Sequence, residues 1–262
     1  MTRPRRPPAA IAVLGAVAAA FFALPLVALL QRARWSTLWH DVTTHAALDA
    51  LRLSILCALG ATVLSVLFGT PLAWLLARGE FPGRRFVRAL VLLPLVLPPV
   101  VGGVALLAAF SVGSPLGGWL HDALGIQLTF SPAGVVLAQT FVAMPFYVIT
   151  LEAALAGVDA RYEMAAASLG ASPLRVFVRV TLPLVGGSVA AGGVLAFARA
   201  LGEFGATITF AGNIAGRTQT LPLAVYLLLE SDQRAAIALS LLLVAVSIAA
   251  LVALRDRWLV RG

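Results

Sequence analysis

Lysine is absent from this chain of 262 residues, so all 19 basic residues are arginines. A nucleotide-binding loop of the type GxxxxGKS or GxxxxGKT needs a lysine to reach the phosphates, and the chain therefore cannot form one. Cysteine occurs once, at Cys57 in an apolar run, which excludes an internal disulfide and predicts a small buried packing group. The histidines His40, His45 and His121 flank apolar runs as interfacial residues do, and we expect neither a metal site nor a cofactor.

Charged residues are also scarce, at 11% of the chain, whereas apolar residues reach 61%. Soluble domains average about 25% charged and about 45–50% apolar residues. The excess of apolar residues therefore predicts a surface that faces lipid. The net charge of +8 would suit a nucleic-acid partner, but the arginines are scattered between apolar segments and form no single basic face. We expect no nucleic-acid binding.

Long apolar runs divide the chain into membrane-spanning segments, each of which needs about 20 mainly apolar residues. Six runs qualify, at residues 9–30, 48–76, 89–110, 132–151, 184–200 and 235–254. We predict an all-α, polytopic membrane protein with about six transmembrane helices in one domain over residues 1–262. Pro94, Pro98 and Pro99 should kink the third run or delay its start. The first run is longer than the apolar core of a secretory signal, about 7–15 residues, and we expect it to be retained.

The arginines are distributed unevenly among the connecting segments. Most of them, including Arg3, Arg5 and Arg6, fall on one side of the membrane if the N-terminus is cytoplasmic. The positive-inside rule then places both termini of this cell-membrane protein in the cytoplasm. Residues 152–182 form the longest cytoplasmic connection, and long loops in compact proteins are commonly functional.

The first half of segment 152–182 carries the signals of a short helix. Asp159 is suited to cap its N-terminus, and the helix is predicted to run to Leu169. Gly170 follows where a left-handed residue ends many helices. Small and apolar side chains share one stripe of this helix, at Tyr162, Ala165, Ala166 and Leu169.

The second half of the segment predicts another short helix. Ser172 supplies an N-cap and Pro173 a favoured first-turn residue, and the helix should continue to about Thr181. Two short helices joined by a glycine make a compact projection on the cytoplasmic face. An amphipathic helical hairpin lying on the bilayer surface is the structural alternative.

The same segment resembles a known loop. The pattern Glu163-x-Ala165-Ala166-x-x-Leu169-Gly170, followed by Val180-Thr181-Leu182-Pro183, resembles the EAA loop of binding-protein-dependent ABC importer permeases. The general pattern puts the acidic residue six positions before the glycine, where this chain has Met164. The resemblance implies that the loop docks into a groove on an ATP-hydrolysing subunit. The implied coupling residues are Tyr162, Glu163, Ala165, Ala166, Leu169, Gly170, Ser172 and Pro173.

A second stretch, residues 198–222, resembles the molybdate branch of the same family, and sulfate permeases share its Arg-x-x-Gly-Glu-Phe-Gly part. Arg199 and Glu203 stand four residues apart, so on a helix they share a face and can pair. The pair either locks the end of the fifth span or helps to shape a gate, because charges at membrane depth usually face an aqueous path or a protein interior. The gate or pore candidates are Arg199, Glu203, Thr207, Thr209 and Asn213.

The resemblance implies a transport subunit and not an enzyme: an importer permease for molybdate, and possibly tungstate, that works by alternating access. It implies as partners a second copy of the chain, a pair of ATPase subunits and an extracytoplasmic oxyanion-binding protein. A sulfate or thiosulfate permease is the alternative within the family. A secondary transporter is more remote, because the sequence lacks convincing internal repeats and several buried carboxylates for ion coupling. A membrane-embedded enzyme lacks a set of nucleophile, base and metal ligands within the spans.

Overall fold

The computed structural model describes residues 8–258, within which all regular structure is helical, as predicted. The arginines Arg3, Arg5, Arg6 and Arg261, which contributed to the predicted orientation, lie outside this range. In chain order the helices are α1 (Ala9–Arg32), α2 (Trp35–Val42), α3 (His45–Arg78), α4 (Arg84–Val96), α5 (Pro99–Phe110), α6 (Pro115–Leu124), α7 (Pro132–Gly157), α8 (Ala160–Ser168), α9 (Pro173–Val176), α10 (Leu182–Leu184), α11 (Gly186–Leu201), α12 (Gly205–Ala211), α13 (Leu221–Ser231) and α14 (Gln233–Trp258). A π-helical turn, Phe177–Thr181, joins α9 to α10.

Four helices, α1, α3, α7 and α14, are long and apolar enough to cross a membrane. Two further pairs qualify together across a sharp bend. Helices α5 and α6 meet at 55°, and the segment Pro173–Leu184 meets α11 at 74°. Six spans result if each bent pair is counted as one, which agrees with the predicted number.

The third predicted span is not one continuous helix. Helix α4 ends at Val96, Leu97 and Pro98 are extended, and α5 begins at Pro99. A proline disfavours helical backbone in the residue before it and lacks the N–H that a continuing helix needs, so Pro98 and Pro99 together divide the run. The predicted delay of the third run is therefore present, with α5 starting at Pro99. The bent pair extends beyond residue 110 into α6, a short helix that the sequence did not reveal.

The core forms where α3 packs along α7 and α11 packs against both. The face of α3 that is buried consists almost entirely of small side chains at helical spacing: Ala47, Ala50, Ser54, Cys57, Ala58, Ala61, Ser65, Gly69, Ala73 and Leu76. Small residues let helix backbones approach closely, which drives association where the surrounding lipid is as apolar as the side chains. Helices α3 and α7 run parallel, since Gly60 faces Val136 and Gly69 faces Val148.

Tyr147 is the largest fully buried side chain of this core. Its hydroxyl lies 2.6 Å from the hydroxyl of Thr70 on α3, which satisfies the only polar atom of the ring. Gly69 and Gly192 pass close to opposite edges of the ring. Three helices therefore meet at one aromatic side chain.

The predicted burial of Cys57 is confirmed. Its side chain is 3% exposed and packs with Val135 of α7 and Ala211 of α12. The thiol lies 3.9 Å from the carbonyl oxygen of Pro132, a weak contact typical of a packing residue.

Candidate functional site

Two short helices project from the end of the bundle at which α3 and α7 terminate. We call residues 159–181, which contain α8, α9 and the π-helical turn, the hairpin. Asp159 caps α8 by accepting the N–H of Arg161 at 2.9 Å, as predicted. The Arg161 side chain also donates to this carboxylate at 2.8 Å, and that bond, together with the backbone bond, holds the pKa of Asp159 below its ordinary value.

The turn of the hairpin follows the predicted geometry. Gly170 adopts a left-handed backbone with φ of 82°, and its N–H bonds the carbonyl of Ala167. Ser172 occupies the N-cap position and Pro173 the first position of the next helix, although the Ser172 side chain makes no capping bond. The second helix continues as the π-helical turn to Thr181, the predicted end, and α10 follows directly with Pro183 in its first turn.

The outer face of the hairpin is apolar. Leu169 is 89% exposed and Leu174 is 72% exposed, and Tyr162 and Met164 are also more than half exposed. Ala165, Ser172 and Pro173 are exposed and Ala166 is half-buried. Several exposed apolar side chains at one end of a bundle are a feature of docking sites for other proteins.

Glu163 turns toward the bundle. Its carboxylate accepts a hydrogen bond from the Thr181 hydroxyl at 2.9 Å and lies 3.6 Å from the guanidinium of Arg78 at the end of α3. Arg78 donates in addition to the carbonyl of Val158, at 2.9 Å, where α7 ends. The role of Arg78 is not evident from the sequence, because the partners of its side chain are distant in the chain.

A groove of about 310 Å³ lies between the hairpin and the bundle. Trp74 of α3 forms one wall and meets the ring of Phe177 edge to face, with centroids 6.0 Å apart. Glu163 and Thr181 line the groove and supply its polar atoms. The hairpin therefore rests on α3 through both an aromatic and an ionic contact.

The second candidate region follows α11. Arg199 lies 2.6 Å from Glu203, so the expected pair is present. Its setting differs from the prediction, because α11 ends at Leu201 and Glu203 stands beyond the helix. The other oxygen of this carboxylate accepts the N–H of Ala206 at 2.8 Å and so caps α12. Glu203 is 1% exposed, and one carboxylate thus joins two consecutive helices in a buried position.

Helix α12 presses directly on α5. A Cβ atom on Gly103 would lie 2.6 Å from Cβ of Thr209, and one on Gly205 would lie 2.7 Å from Cβ of Pro99. Contacts this close leave room only for glycine. The sequence predicted neither of these close contacts, because they depend on which helices become neighbours in the fold.

The three neutral gate candidates differ in their surroundings. Thr207 is fully buried, and its hydroxyl has no hydrogen-bond partner among the described residues. The Thr209 hydroxyl donates to the carbonyl of Gly205. Asn213 accepts from Gln219 at 3.0 Å and donates to the carbonyl of Leu223 at 3.4 Å. Their role in a translocation path remains a prediction.

The segment after α12 is fixed at both ends. Phe130 adopts φ of 55°, unusual for a bulky residue, and its ring lies against Gly212. At the other end, Ser54 of α3 accepts the N–H of Leu221 at 2.6 Å. Helix α3 therefore contacts this segment near one of its ends and the hairpin at the other.

Residues 65–261 match the family described as the binding-protein-dependent transport system inner membrane component. The molybdenum transport system permease protein ModB of Mycobacterium tuberculosis is 54% identical over 227 residues, which cover 87% of this chain and 86% of the relative. ModB of Escherichia coli K12 is 42% identical over 84% of this chain and 96% of its own length.

A sulfate transport system permease protein, CysT of Escherichia coli K12, is 38% identical over 86% of this chain and 82% of its own length. Among solved structures, a bacterial ABC transporter that imports the polysaccharide alginate superposes with a TM-score of 0.69 at 18% identity, over 94% of this chain and 92% of that one. The MetNI methionine ABC transporter superposes with a TM-score of 0.58 at 17% identity, over 82% and 97%. These structures share the fold.

Proposed function

The chain belongs to the family of binding-protein-dependent transport system inner membrane components, and we propose that it is the membrane-spanning subunit of an ATP-driven molybdate importer. It is a multi-pass membrane protein that hydrolyses no ATP itself. The observation that carries the proposal is the exposed apolar face of the hairpin at one end of the bundle. Because the chain has no lysine, it cannot form the nucleotide-binding loop of an ATPase itself. The exposed surface of the hairpin is where a separate ATPase subunit can bind and move this chain.

Molybdate is the proposed cargo because the molybdenum permeases are more similar to this chain than the sulfate permease, at 54% and 42% against 38% identity. Tungstate is included, because it is a tetrahedral dianion of nearly the same size. Sulfate remains the second candidate, since it has the same shape and charge. We expect the extracytoplasmic binding protein to determine most of the anion selectivity. The permease should bind the anion weakly, so that release is fast.

The proposed assembly is a homodimer with the pore along its two-fold axis. The hairpin faces the cytoplasm and docks into an ATPase subunit, so both termini are cytoplasmic. An extracytoplasmic binding protein delivers the oxyanion to the opposite end. ATP binding draws the two ATPase subunits together, the hairpins move, and the pore opens outward. Release of ADP returns it to the inward-facing state.

The Arg199–Glu203 pair holds the joint between α11 and α12 in this cycle. The buried carboxylate fixes the end of one helix and the start of the next, so the two can move only together unless the pair breaks. Thr207, whose hydroxyl has no hydrogen-bond partner within residues 8–258, is the candidate for contact with a passing oxyanion when the dimer rearranges.

The test is ATP hydrolysis and anion uptake by proteoliposomes that contain this chain together with its ATPase subunit and its binding protein. We expect molybdate and tungstate to stimulate both activities and sulfate to stimulate neither. The matched control is a complex with a hydrolysis-deficient ATPase subunit, which should bind molybdate outside but accumulate none.

Stimulation by sulfate alone would assign the chain to the second candidate. If no ATPase copurifies with the chain and uptake persists without ATP, the importer assignment itself is wrong. Glu203→Gln and Thr207→Val in the same assay test the joint and the proposed anion contact. Unchanged uptake in both variants would remove these residues from the translocation path.

A further inference from the structure

Arg78 occupies a position from which it reaches the ends of several helices at once. It is the last residue of α3, and its guanidinium donates to the carbonyl of Val158 directly after α7. The same group lies 3.6 Å from the carboxylate of Glu163 on α8. That carboxylate in turn accepts from Thr181 in the π-helical turn. Four elements are therefore connected through a single cation and a single anion.

The position of Glu163 in the sequence explains why it turns inward. Successive residues of an α-helix are rotated by about 100°. Met164 stands six residues before Gly170 and is 58% exposed, whereas the side chain of Glu163 is only 20% exposed. The acidic residue thus reaches the bundle, and the neighbouring methionine lies at the exposed rim of the same groove.

The burial of this pair distinguishes it from the other ion pair on the hairpin. The side chains of Arg78 and Glu163 are each 20% exposed, so water and salt screen their attraction weakly. Arg161 and Asp159 are 83% and 41% exposed, and such pairs contribute little. The neighbouring Arg84 is directed to the carbonyl of Leu76 and does not reach the hairpin.

The helix that Arg78 terminates extends to the gate candidates. Ser54 and Arg78 are 24 positions apart on α3, which corresponds to about 36 Å along a helix. Ser54 binds the N–H of Leu221 at the end of the segment that contains Asn213. A displacement of the hairpin that moves Arg78 can therefore be transmitted along α3, which is continuous and packed between these two points.

We propose that Arg78 and Glu163 are positioning residues that transmit the movement of the hairpin to α3 and so couple ATP hydrolysis to opening of the pore. The inference rests on the proposed function, because it assumes that the hairpin receives the movement of an ATPase. It assigns to Glu163 an internal role and leaves contact with the ATPase to the apolar outer face. Loss of either charge should leave the ATPase bound and hydrolysing ATP, but α3 should no longer follow the movement of the hairpin.

The experiment measures molybdate taken up per ATP hydrolysed in proteoliposomes of the complete transporter. The variants are Arg78→Ala, Arg78→Lys, Glu163→Gln and Thr181→Val. Arg84→Ala, at the start of α4 beside this end of α3, is the matched control. We expect Arg78→Ala and Glu163→Gln to lower this ratio by about fivefold or more, within the range of coupling between linked sites. Arg78→Lys should recover part of it, and Arg84→Ala should match the wild type.

A purely structural role would reduce the yield of assembled complex and leave the ratio of uptake to hydrolysis unchanged, and this result would overturn the proposal. If Arg78→Ala fails to assemble, the nearly isosteric Glu163→Gln and Thr181→Val variants decide by the same ratio. A ratio equal to that of the wild type in both would also overturn it. Failure of the proposed function is seen separately: the wild-type complex would then neither accumulate molybdate nor hydrolyse ATP faster in its presence. If sulfate is the cargo, the ratio of uptake to ATP hydrolysis is measured with sulfate.

Discussion

The ring of Tyr147 lies against the backbone of Gly69 so closely that a Cβ atom on this glycine would stand 2.7 Å from Cδ1 of the ring. A Cβ atom on Gly192 would stand 3.0 Å from Cδ2 on the other edge. The ring is fully buried and tethered to Thr70 through its hydroxyl, so it cannot move aside without losing that bond. The crossing of α3, α7 and α11 therefore depends on the absence of side chains at two positions.

Gly69→Ala should destabilise the protein, because the added methyl group overlaps a ring that has no free space to enter. We expect a loss of about 1–3 kcal/mol in unfolding free energy, as for other overpacked cores. The measurement is the thermal unfolding midpoint in detergent. Gly187→Ala on α11 is the control, because a Cβ atom there meets nothing within 4 Å. Equal midpoints for the two variants would contradict the packing described.

Glu203→Gln should weaken the joint between α11 and α12. The amide can still accept the N–H of Ala206, but Arg199 loses its counter-charge. We expect the free energy of unfolding to fall by about 3 kcal/mol, which is at the lower end of the range for breaking a buried ion pair. The lower end applies because the Arg199 side chain is 26% exposed. Thermal unfolding measures the effect, and Arg161→Gln, which disrupts an exposed pair, should cause no measurable loss.

The same variant separates the two roles that the sequence left open for this pair. Uptake is measured at a temperature at which Glu203→Gln remains folded. A normal uptake rate in a destabilised protein would mean that the pair only locks the end of the span. A changed rate in the folded protein would mean that it belongs to the gate.

Leu169→Asp should reduce binding of the ATPase subunit, because a charge would enter an apolar interface at its most exposed residue. We expect the affinity to fall by about tenfold or more, the effect of losing a central interface residue. Copurification and titration of the ATPase against detergent-solubilised permease measure it. Leu124→Asp, at the end of α6, is the control and should bind the ATPase normally. An unaffected Leu169→Asp variant would exclude this face as the docking surface.

Substitutions at Gly170 test whether the turn of the hairpin needs a left-handed backbone. Its φ is 82°, and a Cβ atom would meet nothing within 4 Å, so a substitution there costs only backbone strain. Asparagine tolerates this backbone and valine does not. We expect Gly170→Asn to stay close to wild type and Gly170→Val to lose about 1–3 kcal/mol locally. Limited proteolysis of the hairpin and ATPase copurification are the measurements, and equal behaviour of the two variants would argue against a left-handed residue.

The sequence predicted the hairpin well because its signals are local. Asp159 caps α8 through a residue two positions away, and Gly170 ends the helix through its own backbone. Apolar runs of span length identify membrane helices in the same way, since each must satisfy its backbone internally. The inward turn of Glu163 was beyond prediction, because its partners Arg78 and Thr181 become neighbours only after the bundle has formed.

The same reason explains what the sequence left open in the bundle. The prolines of the run 89–110 indicated a kink or a delayed start, but not the residue at which the helix would be divided. Helices α6, α12 and α13 are shorter than a span, so hydropathy alone does not identify them. The close contacts of Gly103 with α12 and of Gly205 with α5 depend on which helices are adjacent, and a single sequence carries no such information.

The burial of Cys57 has a practical consequence. The chain has no other cysteine, and this thiol lies between three helices, where water-soluble thiol reagents and base have poor access. The natural protein is therefore already a nearly silent background for site-directed labelling. A single introduced cysteine, for instance Leu169→Cys on the hairpin, would be the main site that a fluorophore or spin label reacts with. A second one on α3 would let a pair of labels report the distance between hairpin and α3 through the transport cycle, without removal of the native cysteine.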